Sequence, residues 1–190
     1  MAVTRRHLLT ALPIAGSAAL GFGFWEMLKG MKSGSFDPHA VSTPLLGKDI
    51  PKFQALDGLA NLREGFSSDI LQSQTQPILV NFMASWCVPC VLEMPFLKKI
   101  SSQIIIWGVV YKDKAERAAA FIQRNGDPYQ RIGQDPSGLT AINWGVTGVP
   151  ESFLILPGGK IAWHDSAALD EKIFQENIHP FLGRTYSDHK

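Results

Sequence analysis

Hydrophobic and polar positions follow distinct rhythms along this chain. An uncharged run extends from Leu8 to Trp25, with Arg5 and Arg6 before it and Lys29 and Lys32 after it. As a helix it would rise about 27 Å, just enough for a hydrocarbon core, so it predicts a membrane anchor or a signal peptide. A buried core helix fits less well, because Pro13, Gly16, Gly21 and Gly23 interrupt the run and no polar stripe divides it. Cleavage after Ser17-Ala18-Ala19 would leave Leu20 to Trp25 as an apolar mature terminus, so an uncleaved signal-anchor over 1–30 is expected. From Met31 to about Pro51 the composition turns to Ser, Gly, Pro and Lys, which predicts a tether over 31–50 and a globular domain over 51–185.

Within that domain, Ile78 to Ala84 and Ile104 to Val110 are nearly continuous apolar runs of strand length, as expected for strands covered on both faces. Between them Leu92, Phe96, Leu97 and Ile100 recur at helical spacing; Pro89 suits the first turn, and Pro95 is expected to bend the helix. Asp113 with Glu116 reads as the capping box of a second helix, ended by Asn125-Gly126-Asp127-Pro128. Strand, helix, strand, helix in that order implies a parallel sheet with right-handed crossovers. Upstream, Phe53 to Leu56, Asp57-Gly58 and Leu59 to Leu62 read as a short strand, a turn and a partner strand. Downstream, a short helix is expected to end at Gly145. Ser152 to Leu156 and Ile161 to His164 flank the hairpin signal Pro157-Gly158-Gly159-Lys160, and Leu169, Ile173, Phe174 and Ile178 suit a closing helix.

At 190 residues, 45% of them apolar, the chain can bury one good core. Lys and Arg number 18 against 17 acidic residues, so there is no basic field and no nucleic-acid partner is expected. The two cysteines, Cys87 and Cys90, close a loop too short to restrain much of the unfolded chain, which leaves a redox or a metal role. Zinc would need two further ligands, but the five histidines do not cluster. Val91 stands where covalent haem attachment requires His. Neither a metal nor a cofactor is expected.

A strand running into Trp86-Cys87-Val88-Pro89-Cys90 at the start of a helix, followed by an X-Pro loop, a hairpin and a last helix, resembles the thioredoxin fold. The fold class this implies is α/β, a central mixed β-sheet flanked by helices, here with an N-terminal membrane anchor. From about Pro51 to Leu182 the chain is most similar to the CcmG/DsbE family, membrane-anchored periplasmic thiol oxidoreductases of cytochrome c maturation. The likeness rests on the dithiol stretch with Glu93 and Pro95, on Tyr111-Lys112-Asp113, and on the run from Gly145 through Val149-Pro150-Glu151 to Ile155. Two positions depart from expectation. The family's Gly-Val-Tyr-Gly loop here carries Thr147 in place of Tyr, and Asn81 stands where thioredoxin has a buried Asp, a feature CcmG-like proteins share.

The resemblance implies a redox-active Cys87–Cys90 disulfide. A helix N-terminus stabilises thiolate through unpaired N–H groups and the macrodipole, which favours Cys87 as the exposed, attacking sulfur and Cys90 as the shielded, resolving one. Glu93 falls on nearly the same helical face as Cys90, where it could exchange a proton during resolution; its alternative is an ordinary solvated glutamate. Glu151 is a second candidate acid whose alternative is to face solvent. In the resembled fold Pro150 is cis and presents the backbone of Val149 beside Cys87, so that an extended substrate pairs as a strand. Trp86 is expected to shield the sulfurs, or to be a core or rim aromatic. Tyr111-Lys112-Asp113 reads as a strand end and N-cap, with partner recognition resting on analogy.

The expected substrate is the haem-binding Cys-x-x-Cys-His segment of apocytochrome c, or a maturation factor carrying it, with a membrane thiol reductase of the DsbD/CcdA type as electron donor. The expected location is the inner membrane, single-pass, with the domain in the periplasm. Flanking charges do not decide the orientation, but a short N-terminal tail is more easily left inside than a domain, and Thr4 to Leu9 resembles a twin-arginine export signal. The rivals are a TlpA-type reductant for cytochrome oxidase copper sites, a Sco-type copper-binding assembly factor, and a disulfide-forming oxidase, whose direction a redox potential decides.

Overall fold

A computed structural model of the chain describes residues 5–32, 45–59 and 62–183. It divides into two compact units, Met1–Ala40 and Val41–Lys190. In the first, the N-terminal run forms one helix, α1 (Arg5–Lys32), on which Leu20, Phe22, Phe24 and Trp25 are exposed. Among the described residues, no helix is long and apolar enough to cross a membrane. The expected tether lies largely outside the described residues.

The second unit is built on a five-stranded mixed sheet of order β3-β2-β1-β4-β5, comprising β1 (Ile78–Met83), β2 (Ile105–Tyr111), β3 (Arg131–Asp135), β4 (Glu151–Leu156) and β5 (Lys160–Asp165). The β1–β2 and β2–β3 pairs are parallel, and β1–β4 and β4–β5 are antiparallel. Every residue of β1 is buried, as a central strand covered on both faces requires. Alternate side chains divide between two cores. Ile78, Val80 and Phe82 join Trp107, Val109, Trp144 and Phe153 on one face; Leu79 and Met83 join Met94, Leu97, Phe121 and Phe174 on the other. Asn81, two residues from Leu79 and from Met83, falls on the second face.

That face is covered by α3 (Val88–Ile100), α4 (Ala115–Asn125) and the closing helical segment, which begins at α6 (Glu171–Ile173) and continues through a π-turn, Phe174–Ile178. Two short helices, α2 (Ser68–Gln72) and α5 (Leu139–Asn143), carry residues of the other core, Leu71 and Ala141. Pro89 lies in the first turn of α3, where its missing N–H costs nothing, and the helix continues past Pro95.

Two local expectations are corrected and one strand is added. Among the described residues, the segment before β1 forms isolated bridges in place of the expected strand pair, part of which (60–61) lies outside them. Leu56 bridges Phe66, Leu59 bridges Arg63, and backbone bonds from Ile132 to Glu64 and from Gln134 to Asp57 tie this segment along β3, covering that edge of the sheet. β3 itself is unexpected, because Arg131-Ile132-Gly133-Gln134-Asp135 is mostly polar and becomes a strand through its pairing with β2. The capping box at Asp113 does not form. Lys114 is the N-cap of α4 and makes no side-chain cap bond, while Asp113 Oδ2 accepts the Ser85 N–H of the loop after β1.

Candidate functional site

The dithiol stands where β1 hands over to α3. Cys87 is the N-cap residue, in extended conformation, and its Sγ accepts the backbone N–H of Cys90 at 3.1 Å. The sulfurs are joined in a disulfide, with the two Cα atoms 5.3 Å apart. This N–H and the helix N-terminus both favour negative charge on the Cys87 sulfur once the bond is reduced. The expected contrast in exposure is corrected: Cys87 is 3% exposed and Cys90 1%. Both belong to the core that includes Met83 and Ala84, so the oxidised pair is sunk into the domain.

The loop carrying Cys87 is held from the β2–α4 turn. The Ser85 N–H donates to Asp113 Oδ2 at 2.6 Å, while Asp113 Oδ1 accepts the Lys114 N–H at 2.8 Å. The Trp86 indole N–H donates to the Lys112 carbonyl at 3.4 Å, and its ring lies 6.4 Å from that of Tyr111. Lys112 has a φ of 44°, a left-handed conformation uncommon outside glycine, and its N–H donates to the Asp135 carbonyl. Trp86 is thus a half-exposed rim aromatic leaning over this turn. With Val88 and Leu92, both strongly exposed, it gives the disulfide an apolar surround.

Glu93 is a buried acid rather than a solvated one. Its Oε1 accepts the Leu169 N–H at 2.9 Å and its Oε2 accepts an Asn81 Nδ2 hydrogen at 3.3 Å. Burial raises its pKa from 4.5 to about 7, against the lowering effect of those two bonds, with Asp165 adding to the rise. A carboxyl so placed can take or give a proton near neutral pH. Asn81, in place of the buried acid of thioredoxin, also donates to Ser152 Oγ at 3.0 Å and accepts from the Tyr129 hydroxyl at 2.8 Å.

Opposite the dithiol, the Val149–Pro150 bond is cis, as the resemblance implies. The antiparallel pairing sets Glu151 against Phe82, so Pro150 falls level with the end of β1 from which the cysteine loop departs. Glu151 does not face solvent. It is fully buried; Oε2 accepts the Thr147 N–H, the Thr147 hydroxyl and the Gly148 N–H at 2.9, 3.3 and 3.2 Å, and Oε1 lies 2.5 Å from His164 Nε2. Its carboxylate therefore ties down the loop before Pro150, and Thr147 contributes its hydroxyl to that tie. Among the described residues, no group of three or more His, Cys, Asp or Glu could hold a metal ion.

Sequence reasoning brought Cys87, Cys90 and Glu93 together on α3, and Val149, Pro150 and Glu151 opposite them. It missed Tyr129, Ser152, His164 and the tie from Asp113. For Asp113 a signal existed, an acid directly after a strand end; Tyr129 is an isolated aromatic with no local signature.

A dithiol at the junction of β1 and α3, facing a cis-proline loop across this sheet order, defines a thioredoxin-like protein. The Redoxin family pattern matches residues 45–177. The chain is 35% identical over 179 residues to the thiol:disulfide interchange protein HelX of Rhodobacter capsulatus, covering 93% of this chain and 97% of that one. It is 34% identical over 186 residues to the thiol:disulfide interchange protein DsbE of Escherichia coli, covering 96% of each. A solved thiol-disulfide oxidoreductase from Bacteroides fragilis has the same fold, with a TM-score of 0.60 and 23% identity over 71% of this chain and all of that one. The chain belongs to the Redoxin family and, within it, to the DsbE family of thiol:disulfide interchange proteins.

Proposed function

We propose that this thiol–disulfide oxidoreductase acts as a membrane-tethered periplasmic reductant in cytochrome c maturation. The Cys87 thiolate attacks one sulfur of a disulfide in the haem-binding Cys-x-x-Cys-His segment of apocytochrome c, or in a maturation factor carrying it, and forms a mixed disulfide. Cys90 gives its proton to Glu93 and attacks Cys87, releasing the substrate as a dithiol and leaving the Cys87–Cys90 disulfide. A membrane thiol reductase of the DsbD/CcdA type returns two electrons to the pair. Val149, beside the cis proline, offers backbone for strand-like pairing with the substrate, and Trp86, Val88 and Leu92 offer apolar contact. The tether to the inner membrane is assigned to the N-terminal segment on its uncharged run from Leu8 to Trp25 and the near full-length similarity to DsbE, although no described helix is long and apolar enough to cross a membrane.

The observation that carries the chemistry is the placement of Cys87 as N-cap of α3 with the buried Glu93 three residues beyond Cys90. The choice of substrate rests on the near full-length similarity to DsbE. Replacing Cys90 with Ala blocks resolution and leaves the substrate covalently held on Cys87. The expected catch is apocytochromes c or their maturation factors; recovery of periplasmic proteins at large, without their enrichment, overturns the assignment. For Glu93, an unchanged pH dependence of disulfide exchange in Glu93→Gln removes it from the proton transfer.

A further inference from the structure

Tyr129 is buried and has no part in the thiol chemistry above, yet its position is tightly specified. Its ring lies against Gly108 of β2, where a Cβ would stand 3.0, 3.1 and 3.2 Å from ring carbons Cδ1, Cε1 and Cγ. Gly108 is the residue that pairs with Asn81 across the sheet. The missing side chain therefore gives the phenol room to reach Asn81, and its hydroxyl donates to Asn81 Oδ1 at 2.8 Å. The other neighbour of the hydroxyl is Met94 Sδ at 3.9 Å, a weak acceptor. Burial, with the negative charges of Glu93 and Asp127, holds the Tyr129 phenol well above its ordinary pKa, so it remains a donor.

A donor fixed on Oδ1 decides which way the amide faces. Nδ2 then directs its hydrogens to Glu93 Oε2 and Ser152 Oγ. The reversed amide would set Oδ1 against the Glu93 carboxylate and two donors, Nδ2 and the phenol, against each other. We propose that Tyr129 is a positioning residue for the active-site acid: through Asn81 it fixes an N–H on Glu93 and favours the ionised carboxylate. The consequence for catalysis rests on the reading of Glu93 as proton acceptor for Cys90. The other groups facing Glu93 are the Leu169 N–H, which favours the same form, and Asp165 at the end of β5, which opposes it.

The test is a direct titration of the Glu93 carboxyl by carbon-13 NMR in the oxidised full-length protein. Tyr129→Phe frees the amide to turn, and the midpoint is expected to rise from about 7 by about one unit, a tenfold gain in proton affinity. Asn81→Ala is expected to raise it similarly, and the double variant no further than either alone, because both remove one pathway. Gly108→Ala keeps the hydroxyl but displaces the ring, and is expected to move the midpoint in the same direction; it carries the test if Tyr129→Phe does not fold. An unmoved midpoint in Tyr129→Phe, or additive shifts in the double variant, overturns the proposal. The two readings fail separately. If Glu93→Gln leaves the pH dependence of exchange unchanged, the proton-acceptor role falls, while a displaced carboxyl titration in Tyr129→Phe still establishes the positioning.

Discussion

Glu93 and Glu151 are both acids sealed inside the domain, 2% and 0% exposed, one on α3 three residues after Cys90 and the other on β4 directly after the cis proline. The protein solvates them differently. Glu151 collects two backbone N–H groups, a hydroxyl and an imidazole nitrogen, all from the loop before Pro150 and the neighbouring strand. Glu93 receives one backbone N–H and one amide hydrogen. A carboxylate rich in donors organises the chain that supplies them. Glu93, with fewer donors, has its pKa raised by burial to about 7. Burial alone therefore does not distinguish these two acids; the inventory of donors does.

The largest expected effect that would break this comparison is on stability. Glu151→Ala removes the buried acceptor of the Thr147 and Gly148 donors and a hydrogen-bond partner of His164, and should cost about 3–5 kcal/mol in urea unfolding. A loss below about 1 kcal/mol would mean that the loop is held by something else.

The next effect, about 3 kcal/mol, sharpens the other half of the comparison through pH. The pKa of Glu93 is raised on folding, from the ordinary 4.5 to about 7. The folded oxidised protein therefore binds this proton more tightly than the unfolded chain. Its contribution to stability is full below about pH 4.5, declines as pH rises from there to about 7, and is level above. Glu93→Gln should lack this decline, so the stability difference between variant and parent changes by that amount between pH 4 and 8. Parallel pH profiles for the two would show that Glu93 does not hold its proton in the fold.

The smallest effect concerns a third carboxylate, the partly exposed Asp113, which holds the Ser85 N–H as Glu151 holds Gly148. Asp113→Ala should cost about 1–2 kcal/mol and slow exchange at Cys87 by loosening the loop before it. Unchanged melting and unchanged exchange rates would restrict the donor-counting argument to buried acids.

Much of the frame was legible because it is written in local patterns. β1 and β2 are continuous apolar runs, the β4–β5 hairpin is announced by Pro157-Gly158-Gly159, and α3 by Pro89 and its helical spacing. β3 was not, since Ile132 is its only large apolar side chain and pairing with β2 makes it a strand. Asp113 was misread as a helix cap because the sequence does not show that Ser85, 28 residues earlier, offers it a better donor. Glu151 reads along the sequence as a second candidate acid or a solvent-facing residue, because His164, its partner on β5, is 13 residues away.

The sequence by itself determined the dithiol chemistry: two cysteines one helical turn apart, after a buried strand and beside a helix-starting proline, specify a thiol pair at a helix N-terminus through short-range geometry alone. Tertiary structure decided what surrounds that pair. The Tyr129–Asn81 contact spans 48 residues and the Glu93–Leu169 contact 76. The register of the sheet, together with the one missing side chain at Gly108, brings Tyr129 to Asn81, and the chain after β5 closes over Glu93. These are long-range contacts that no window along the chain contains. They set the burial and hydrogen bonds of Glu93, three residues beyond Cys90, which raise its affinity for a proton.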